Sequence, residues 1–502
     1  MLNVDVVPVT RAKSVSAVAA AAAIAHLICI NQYGYFRDEL YYIACSEHLD
    51  WGYVDQPALI AIIVWLVRHT LGDSLFALRL LPALAHVALI LLTADVTRRL
   101  GGSQRAQLLA SLCTLIAPIY LGLSHFISMN AFEPLFWMGC IDVALTIFNG
   151  ASPQLWLLFG AIAGLSLENK HSTLFFGSSF FVALILSDQR RQLRSIWIWL
   201  GGVVAALIFL PKLLWEVQHS FATIELLSNI ARSNKNAVVT PWSFLSGQFL
   251  LMNPITLPVW VGGLIWLLMN RRYRVLALTW LVLTIEFIVL KGKIYYLSPA
   301  FPILLAAGAI VVARFRFAPI YAVLIAIAGA LVAPLSLPIL PIETFIRYQR
   351  WLHLEPPQTE NHAMGPLPQL YADEFGWPEM VARVAAAYNT LSPSERAQCA
   401  IFGQNYGQAG AVDFFGRRYG LPKAISGHQN YFLWGPRGYS GDVMIVMDDN
   451  RERLLEIFRN VRPAGVVYHP YAMPYENNRT IHICRGIKMP IAQLWPKIKK
   501  WM

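Results

Sequence analysis

The chain has 502 residues, 56% of them hydrophobic and only 14% charged, against about 25% charged in a soluble domain. That balance excludes an ordinary soluble enzyme and assigns most of the chain to lipid. The net charge of +11 does not point to nucleic acid, because much of the basic excess sits in short connectors between apolar runs, where it sets orientation.

The first apolar run, roughly Val15 to Ile30, is long enough to cross most of a bilayer. It lacks a clear small-x-small site followed by a polar mature start and reads as a retained span. Apolar runs recur to about residue 340. The pattern predicts roughly eleven crossings, near 14–31, 79–97, 104–122, 131–149, 155–168, 172–187, 196–215, 243–269, 275–290, 294–313 and 317–339. The clusters Arg98/Arg99/Arg105, Arg190/Arg191/Arg194, Arg271/Arg272/Arg274 and Arg314/Arg316 all fit the cytoplasmic side, with Arg11 and Lys13. An odd number of crossings then puts residues 341–502 outside. The loop after the first run and the segment 216–241 fall on that same side.

That first external loop is patterned. Tyr35-Phe36-Arg37-Asp38-Glu39-Leu40-Tyr41-Tyr42 sets a carboxylate pair at the mouth of a span. Glu39 to Leu49 reads as a short interfacial helix. Asp50-Trp51-Gly52-Tyr53-Val54-Asp55-Gln56-Pro57 carries aromatics of the kind that settle at headgroup depth. Asp55 also suits the cap of a helix opened by Pro57. The run Ala58 to Leu71 is short for a span and reads as a second surface-lying helix, with the next crossing starting near Leu80.

Further polar groups sit at the external ends of later spans. Asn130 and Glu133 lie at the top of one, after His125. Glu168-Asn169-Lys170-His171 interrupts two apolar runs, Lys212 and Glu216 flank Trp215, and Lys291-Gly292-Lys293-Ile294-Tyr295-Tyr296 opens another. Lysines outside run against the positive-inside bias, which suggests a lysine-lined pocket for an anion. Lys170 and His171 equally fit a buried polar contact between helices, and Lys291 and Lys293 fit snorkelling to headgroups.

From Pro341 onward no run approaches span length, and an extramembrane α/β domain is expected. Ala400–Phe402, Val443–Met447, Gly465–Tyr468 and Thr480–Ile483 read as strands, Gln408–Tyr419 and Asn450–Asn460 as helices. There is no Gly-rich phosphate fingerprint and no nucleophile elbow. Of six cysteines, Cys399 and Cys484 fall in this domain. A disulfide is chemically open to them there, and sequence leaves the pairing undecided. No Cys/His spacing resembles a zinc site.

Taken together, Arg37–Tyr42, Gly52–Pro57 and Lys291–Tyr296 resemble the lipid-linked-sugar glycosyltransferases of the GT-C fold. The nearer likeness is to the bacterial protein O-mannosyltransferase-like branch that includes aminoarabinose and galacturonosyl transferases. Gln404–Ala409 and Trp434-Gly435-Pro436 resemble the extramembrane part of such proteins. The resemblance implies a polytopic helical protein of the bacterial inner membrane, with an N-terminus in the cytoplasm and a periplasmic C-terminal domain. It implies a polyprenyl-phosphate sugar donor, a glycan, lipid or protein acceptor, and transfer with inversion. An acceptor hydroxyl needs a positioned base, for which Asp38 is the candidate, with Glu39 orienting it or binding substrate. A departing lipid phosphate needs cations, for which Lys293, Lys291, Lys170 and Lys212 are candidates. Asp55, Gln56, Tyr42, Asn130, Glu133, His171 and Tyr295 complete the expected substrate-binding set.

Two positions depart from that pattern. Some relatives carry Lys where this chain has Gln56, and several carry Asp where it has Asn130. No cofactor is expected, although a divalent metal is not excluded. The rival readings are a transporter or flippase for a lipid-linked or anionic substrate, and a non-catalytic sensor or assembly subunit. Polar groups gathered at one face, with no internal repeat, fit a transporter less well.

Overall fold

The computed structural model describes residues 12–233, 239–356, 360–448 and 450–502. Arg11, assigned to the cytoplasm by the charge pattern, and part of the 216–241 segment lie outside the described residues. The chain forms two compact units. The first comprises Met1–Gln32, Asp73–Leu214 and Val238–Phe345; the second comprises Tyr33–Gly72, Trp215–Ala237 and Ile346–Met502. A division by hydropathy falls instead at residues 340/341, with the loops left in the membrane part.

Each apolar segment carries helix: Lys13–Cys29, Leu75–Arg99, Gln104–Ile116, Met129–Phe148, Trp156–Asn169, Thr173–Ile185, Ile196–Gln218, Leu257–Met269, Arg274–Val289, Pro302–Val312 and Ala318–Val332. Four stretches are helical, long and apolar enough to cross a membrane (Leu75–Arg99, Met129–Phe148, Ile196–Gln218 and Ala318–Leu335), or up to six if each bent pair is one span. Proline is the main reason that several expected spans are broken. Pro118, Pro254 and Pro302 each open a new helical turn, where a missing N–H costs nothing, whereas further inside it would break the ladder. Pro241–Leu251 meets Pro254–Met269 at 93°, and Ile294–Ala300 meets Pro302–Val312 at 59°.

The core of the first unit runs through Trp137, Ile141, Phe176, Leu283, Phe301 and Leu304. Its closest approach is between Leu257–Met269 and Pro302–Val312. A Cβ on Gly308 would lie 1.7 Å from the Val259 carbonyl oxygen, and one on Gly263 2.0 Å from that of Leu304. Glycines at both positions let the two backbones touch, the usual device of helices packed in lipid.

Basic connectors gather at one end of this unit. Arg99 Nε reaches Asp95 and Asp142, each at 2.9 Å, and Arg99 Nη1 donates to Thr146. Arg272 Nε donates to the Phe148 carbonyl (2.8 Å), and Gln189 Nε2 to the Arg272 carbonyl (2.9 Å). The 20 residues of Met129–Phe148, about 30 Å at ~1.5 Å per residue, separate this end from Glu133 near the helix start.

The second unit holds a four-stranded sheet: β1 (Cys399–Phe402), β2 (Val443–Met447), β3 (Phe458–Val467) and β4 (Arg479–Ile487), in the order β1-β2-β4-β3. β1 and β2 are parallel, with Cys399 opposite Val443. β4 runs antiparallel to both its neighbours, and a register shift falls between Pro463 and Gly465. Helix ends at Ile457 rather than Asn460, because Phe458 and Asn460 already pair with Ile487 and Arg485 on β4. All six cysteines are free. β2 separates Cys399 from Cys484, and two strand spacings, about 9–10 Å, exceed a disulfide's reach.

The N-terminal segment of this unit joins the same body. Helix Arg37–Ser46 packs on helix Tyr406–Phe415, where a Cβ on Gly410 would meet the Leu40 carbonyl oxygen at 2.9 Å. Helix Leu59–Thr70, 12 residues long, packs beside it and is too short to cross a bilayer. Val54, Trp215, Ala222, Leu226 and Trp501 form one apolar cluster from three distant parts of the sequence.

Candidate active site

Helix Arg37–Ser46 starts where Glu39 turns back on the chain. The Phe36 N–H donates to Glu39 Oε2 (2.9 Å), the N3 half of a capping box. Asp38 and Glu39 both sit in the first turn, where the helix dipole favours negative charge. The two acids have different surroundings. Glu39 is 0% exposed and caps the helix, whereas the Asp38 side chain keeps 30% of its surface accessible.

Asp38 is held from two sides. Its Oδ1 accepts from the Tyr406 hydroxyl (2.8 Å) and lies 3.6 Å from Arg37 Nε. Arg37 Nη1 donates to the Tyr475 hydroxyl (2.6 Å), which itself donates to Asp373 Oδ1 (2.9 Å). Arg37 Nη1 also lies 3.8 Å from Asp373 Oδ2. Burial disfavours the Arg37 charge, but Asp373, Tyr406, Tyr475 and Asp38 outweigh it and push its pKa up. Burial likewise pushes Asp373 up, against the pull of Arg37. The network fixes the direction of the Asp38 carboxylate while leaving part of it open, an arrangement suited to accepting a proton from a bound hydroxyl.

Tyr41 donates to Asp55 Oδ1 (2.9 Å) and stacks on Tyr406, ring centroids 4.7 Å apart. Asp55 is therefore not a helix cap: Leu59–Thr70 begins after Ala58 with no side-chain cap. Tyr42 is buried, and its hydroxyl is pushed well above its usual range by burial and then by Asp38 and Asp55. Gln56 is 0% exposed. Its Nε2 donates to Cys45 Sγ (3.7 Å), and its carbonyl closes the turn back to the Tyr53 N–H (2.9 Å).

The other predicted residues belong to the first unit. Lys170 Nζ is 2.7 Å from Glu133 Oε2, Ser172 donates to the other Glu133 oxygen, and the ammonium lies 4.9 Å above the Tyr296 ring and 5.5 Å from that of Tyr295. Asn169 Nδ2 donates to the Met129 carbonyl (2.8 Å). Lys170 thus enters a polar contact between helices, already neutralised by Glu133. His171 sits edge-on to Phe209, centroids 6.1 Å apart. Asn130 is half-buried, and its buried Oδ1 has no hydrogen-bond partner among the described residues. Lys212 is 0% exposed. Lys291 is exposed, with φ of 52°, and Lys293 is half-buried immediately before the turn Ile294–Ala300. Among the described residues no three His, Cys, Asp or Glu side chains gather into a metal-binding group.

Sequence reasoning missed the role of Tyr406 and the whole of Asp373 and Tyr475. Tyr406 lay inside the singled-out stretch Gln404–Ala409. Nothing local marks Asp373 or Tyr475, more than 330 residues beyond Arg37.

This fold is that of the GT-C membrane glycosyltransferases. ArnT from Cupriavidus metallidurans superimposes with a TM-score of 0.65 when bound to undecaprenyl phosphate and 0.62 in its apo state. Each match is 13% identical and covers 93% of this chain and 97% of that one. Residues 55–215 match the family described as dolichyl-phosphate-mannose-protein mannosyltransferase. The chain is also 27% identical over 229 residues to lipid A galacturonosyltransferase RgtD of Rhizobium johnstonii (strain DSM 114642 / LMG 32736 / 3841). That alignment takes in 44% of this chain and 47% of the relative, so it spans about half the relative's length. Of the motifs that carry the resemblance, Asp55–Pro57 falls within the family match, and Arg37–Tyr42 and Lys291–Tyr296 lie outside it.

Proposed function

We propose that the protein is an inverting glycosyltransferase of the bacterial inner membrane. It moves a sugar from a polyprenyl-phosphate donor to an acceptor on the periplasmic face: lipid A, lipopolysaccharide, another envelope glycan or a protein. The observation that carries this reading is the Asp38 carboxylate, partly open and aimed by Tyr406 and Arg37, in a chain with the fold of ArnT. In a single displacement the base takes the acceptor proton opposite the leaving group. Asp38 fills that role, and Glu39 shapes the helix that presents it.

The departing phosphate gains charge and needs cations. Lys293, Lys291, Lys170 and Lys212 are the candidates, and Lys170 already has a carboxylate partner. The reading keeps residues 1–340 as the membrane part and 341–502 as a periplasmic domain. It sets the N-terminus in the cytoplasm, supported by the basic connectors that share one end of the first unit. RgtD and ArnT favour a transferase over a transporter or flippase.

The test is an Asp38→Asn variant assayed in membranes with radiolabelled polyprenyl-phosphate sugar. Transfer should fall at least about a thousandfold, within the span that loss of a catalytic base allows, with expression and folding retained. Transfer at the wild-type rate would remove Asp38 from the mechanism. Mass spectrometry of envelope glycolipids from cells with and without the protein should reveal the acceptor.

A further inference from the structure

Helix Tyr406–Phe415 starts, like any helix, with backbone N–H groups that the helix itself cannot pair. Asn405 caps the turn in the ordinary way, its Oδ1 accepting from the Gln408 N–H (3.0 Å). Glu476 fixes that cap by accepting from Asn405 Nδ2 (2.7 Å). The Tyr406 N–H takes a different partner and donates to His428 Nδ1 (3.1 Å). A ring nitrogen that accepts carries no hydrogen, so the His428 proton sits on Nε2, which faces the Met502 carbonyl oxygen at 3.4 Å.

The same imidazole lies against the Tyr406 ring, centroids 4.9 Å apart and planes 15° from parallel. Tyr41 stacks on that ring as well. Tyr406 is thus held by its backbone through one hydrogen bond and by its ring through two neighbours. Stacking sets the plane of the phenol, and with the backbone fixed the hydroxyl falls 2.8 Å from Asp38 Oδ1.

The segment that carries His428 is strained. Gln429 has φ of 46° and ψ of −133°, a region that residues with a Cβ rarely adopt. The end of the chain grips the turn. The Lys500 N–H donates to the Gly427 carbonyl (2.8 Å), the Gln429 N–H to the Lys500 carbonyl (3.3 Å), and Trp501 Nε1 to the Gln429 carbonyl (3.2 Å). Beyond the turn, Asn430 Oδ1 accepts from the Val54 N–H (2.7 Å), and the Asn430 N–H reaches the Tyr41 hydroxyl (3.4 Å). One short segment therefore touches both tyrosines of the stack. Strain of this kind persists only where the surroundings impose it, and it collects at functional positions. A helix cap by itself requires neither the stack nor the strained turn.

We propose that His428 is a positioning residue: it orients Tyr406, and through the Tyr406 hydroxyl it aims the Asp38 carboxylate. The proposal rests on the reading of Asp38 as the base. Asp38, Tyr41, Tyr406 and His428 all belong to the second unit.

The test uses full-length protein in membranes with radiolabelled polyprenyl-phosphate sugar, rates being taken per folded molecule. His428→Phe keeps a ring and removes the acceptor. It should lower kcat about tenfold, the loss of one orienting hydrogen bond, with the donor KM within about twofold. His428→Asn sets an oxygen close to where Nδ1 stood and should restore kcat to within about threefold of wild type. In a Tyr406→Phe background, where the hydroxyl is already gone, His428→Phe should lower kcat by no more than a further twofold or so, because residues acting through one contact are not additive. Undiminished kcat in His428→Phe, no rescue by His428→Asn, or additive losses in the double variant would each overturn the role. The hydrogen bond has a readout independent of transfer and of the phenylalanine variant. In protein labelled with 15N-histidine, the His428 signals, assigned by difference from His428→Asn, should show the neutral Nε2–H tautomer at neutral pH. The Nδ1–H tautomer or a charged ring there would overturn the proposal. Wild-type protein that transfers sugar from no donor would instead overturn the glycosyltransferase reading itself.

Discussion

Tyr406 is the neighbour of Asp38 whose contribution can be removed without changing charge. Its hydroxyl donates to the carboxylate while its ring stacks on Tyr41, and phenylalanine keeps the ring. Tyr406→Phe should lower kcat for transfer about tenfold, as expected for a lost orienting hydrogen bond, with the donor KM nearly unchanged. Equal losses in kcat for Tyr406→Phe and Asp38→Asn would mean that the tyrosine does more than orient. Glu39 calls for the opposite pattern. Glu39→Gln retains the cap on the Phe36 N–H and should leave stability and transfer close to wild type. Glu39→Ala should cost about 1 kcal/mol in unfolding free energy, the usual value of a helix cap. Loss of transfer in Glu39→Gln would make Glu39 a direct participant.

Pairs of elements are held by features that a single substitution exposes. Gly308 lets Pro302–Val312 lie against Leu257–Met269, and a methyl there meets the Val259 carbonyl at 1.7 Å. Relief requires the helices to part. Gly308→Leu should therefore sharply reduce the yield of folded protein in membranes, with a smaller loss for Gly308→Ala, as read by detergent-solubilised monodispersity. In the second unit Arg485 on β4 donates to Glu395 (2.7 Å), and the Ser392 N–H adds a second bond (2.9 Å). Together they bring the Glu395 carboxyl down from 4.5 to about 2. A carboxyl depressed in the folded state stabilises above its unfolded value. That stability is lost as the pH falls from about 4.5 to about 2. Glu395→Gln should flatten the pH dependence of unfolding in that window. The change should be small, because the pair is exposed and screened.

At the scale of the molecule, the second unit is assembled from three separated segments, and its sheet does not stand alone. Val54, Trp215, Ala222 and Leu226 share a cluster with Trp501, and Leu40 packs against Gly410. Residues 341–502 expressed by themselves should fail to give a cooperative thermal transition, because those apolar faces would lie open to water. A cooperative, monomeric fragment would show that the sheet is independently stable. Trp501→Ala in the full chain should cost about 3–5 kcal/mol, the usual range for emptying a buried tryptophan site. Hydrogen exchange across the three segments would read it.

Much of this was legible in the chain itself. Apolar runs marked where helix forms in each of the eleven predicted segments, although only four stretches, or up to six with the bent pairs, are long and apolar enough to cross a membrane. Alternation and β-branched residues marked β1, β2 and β4, and the acidic pair beyond the first run pointed to the candidate site. What sequence could not supply was which side chains meet. Arg37 with Asp373 and Tyr475, Asp38 with Tyr406, and Lys170 with Glu133 are contacts between segments far apart along the chain, and local spacing carries no trace of them. The breaks at Pro118, Pro254 and Pro302 were visible as residues. Whether each would kink, cap or end a helix was decided by the packing around it, because proline fixes only its own φ and leaves the turn to its neighbours.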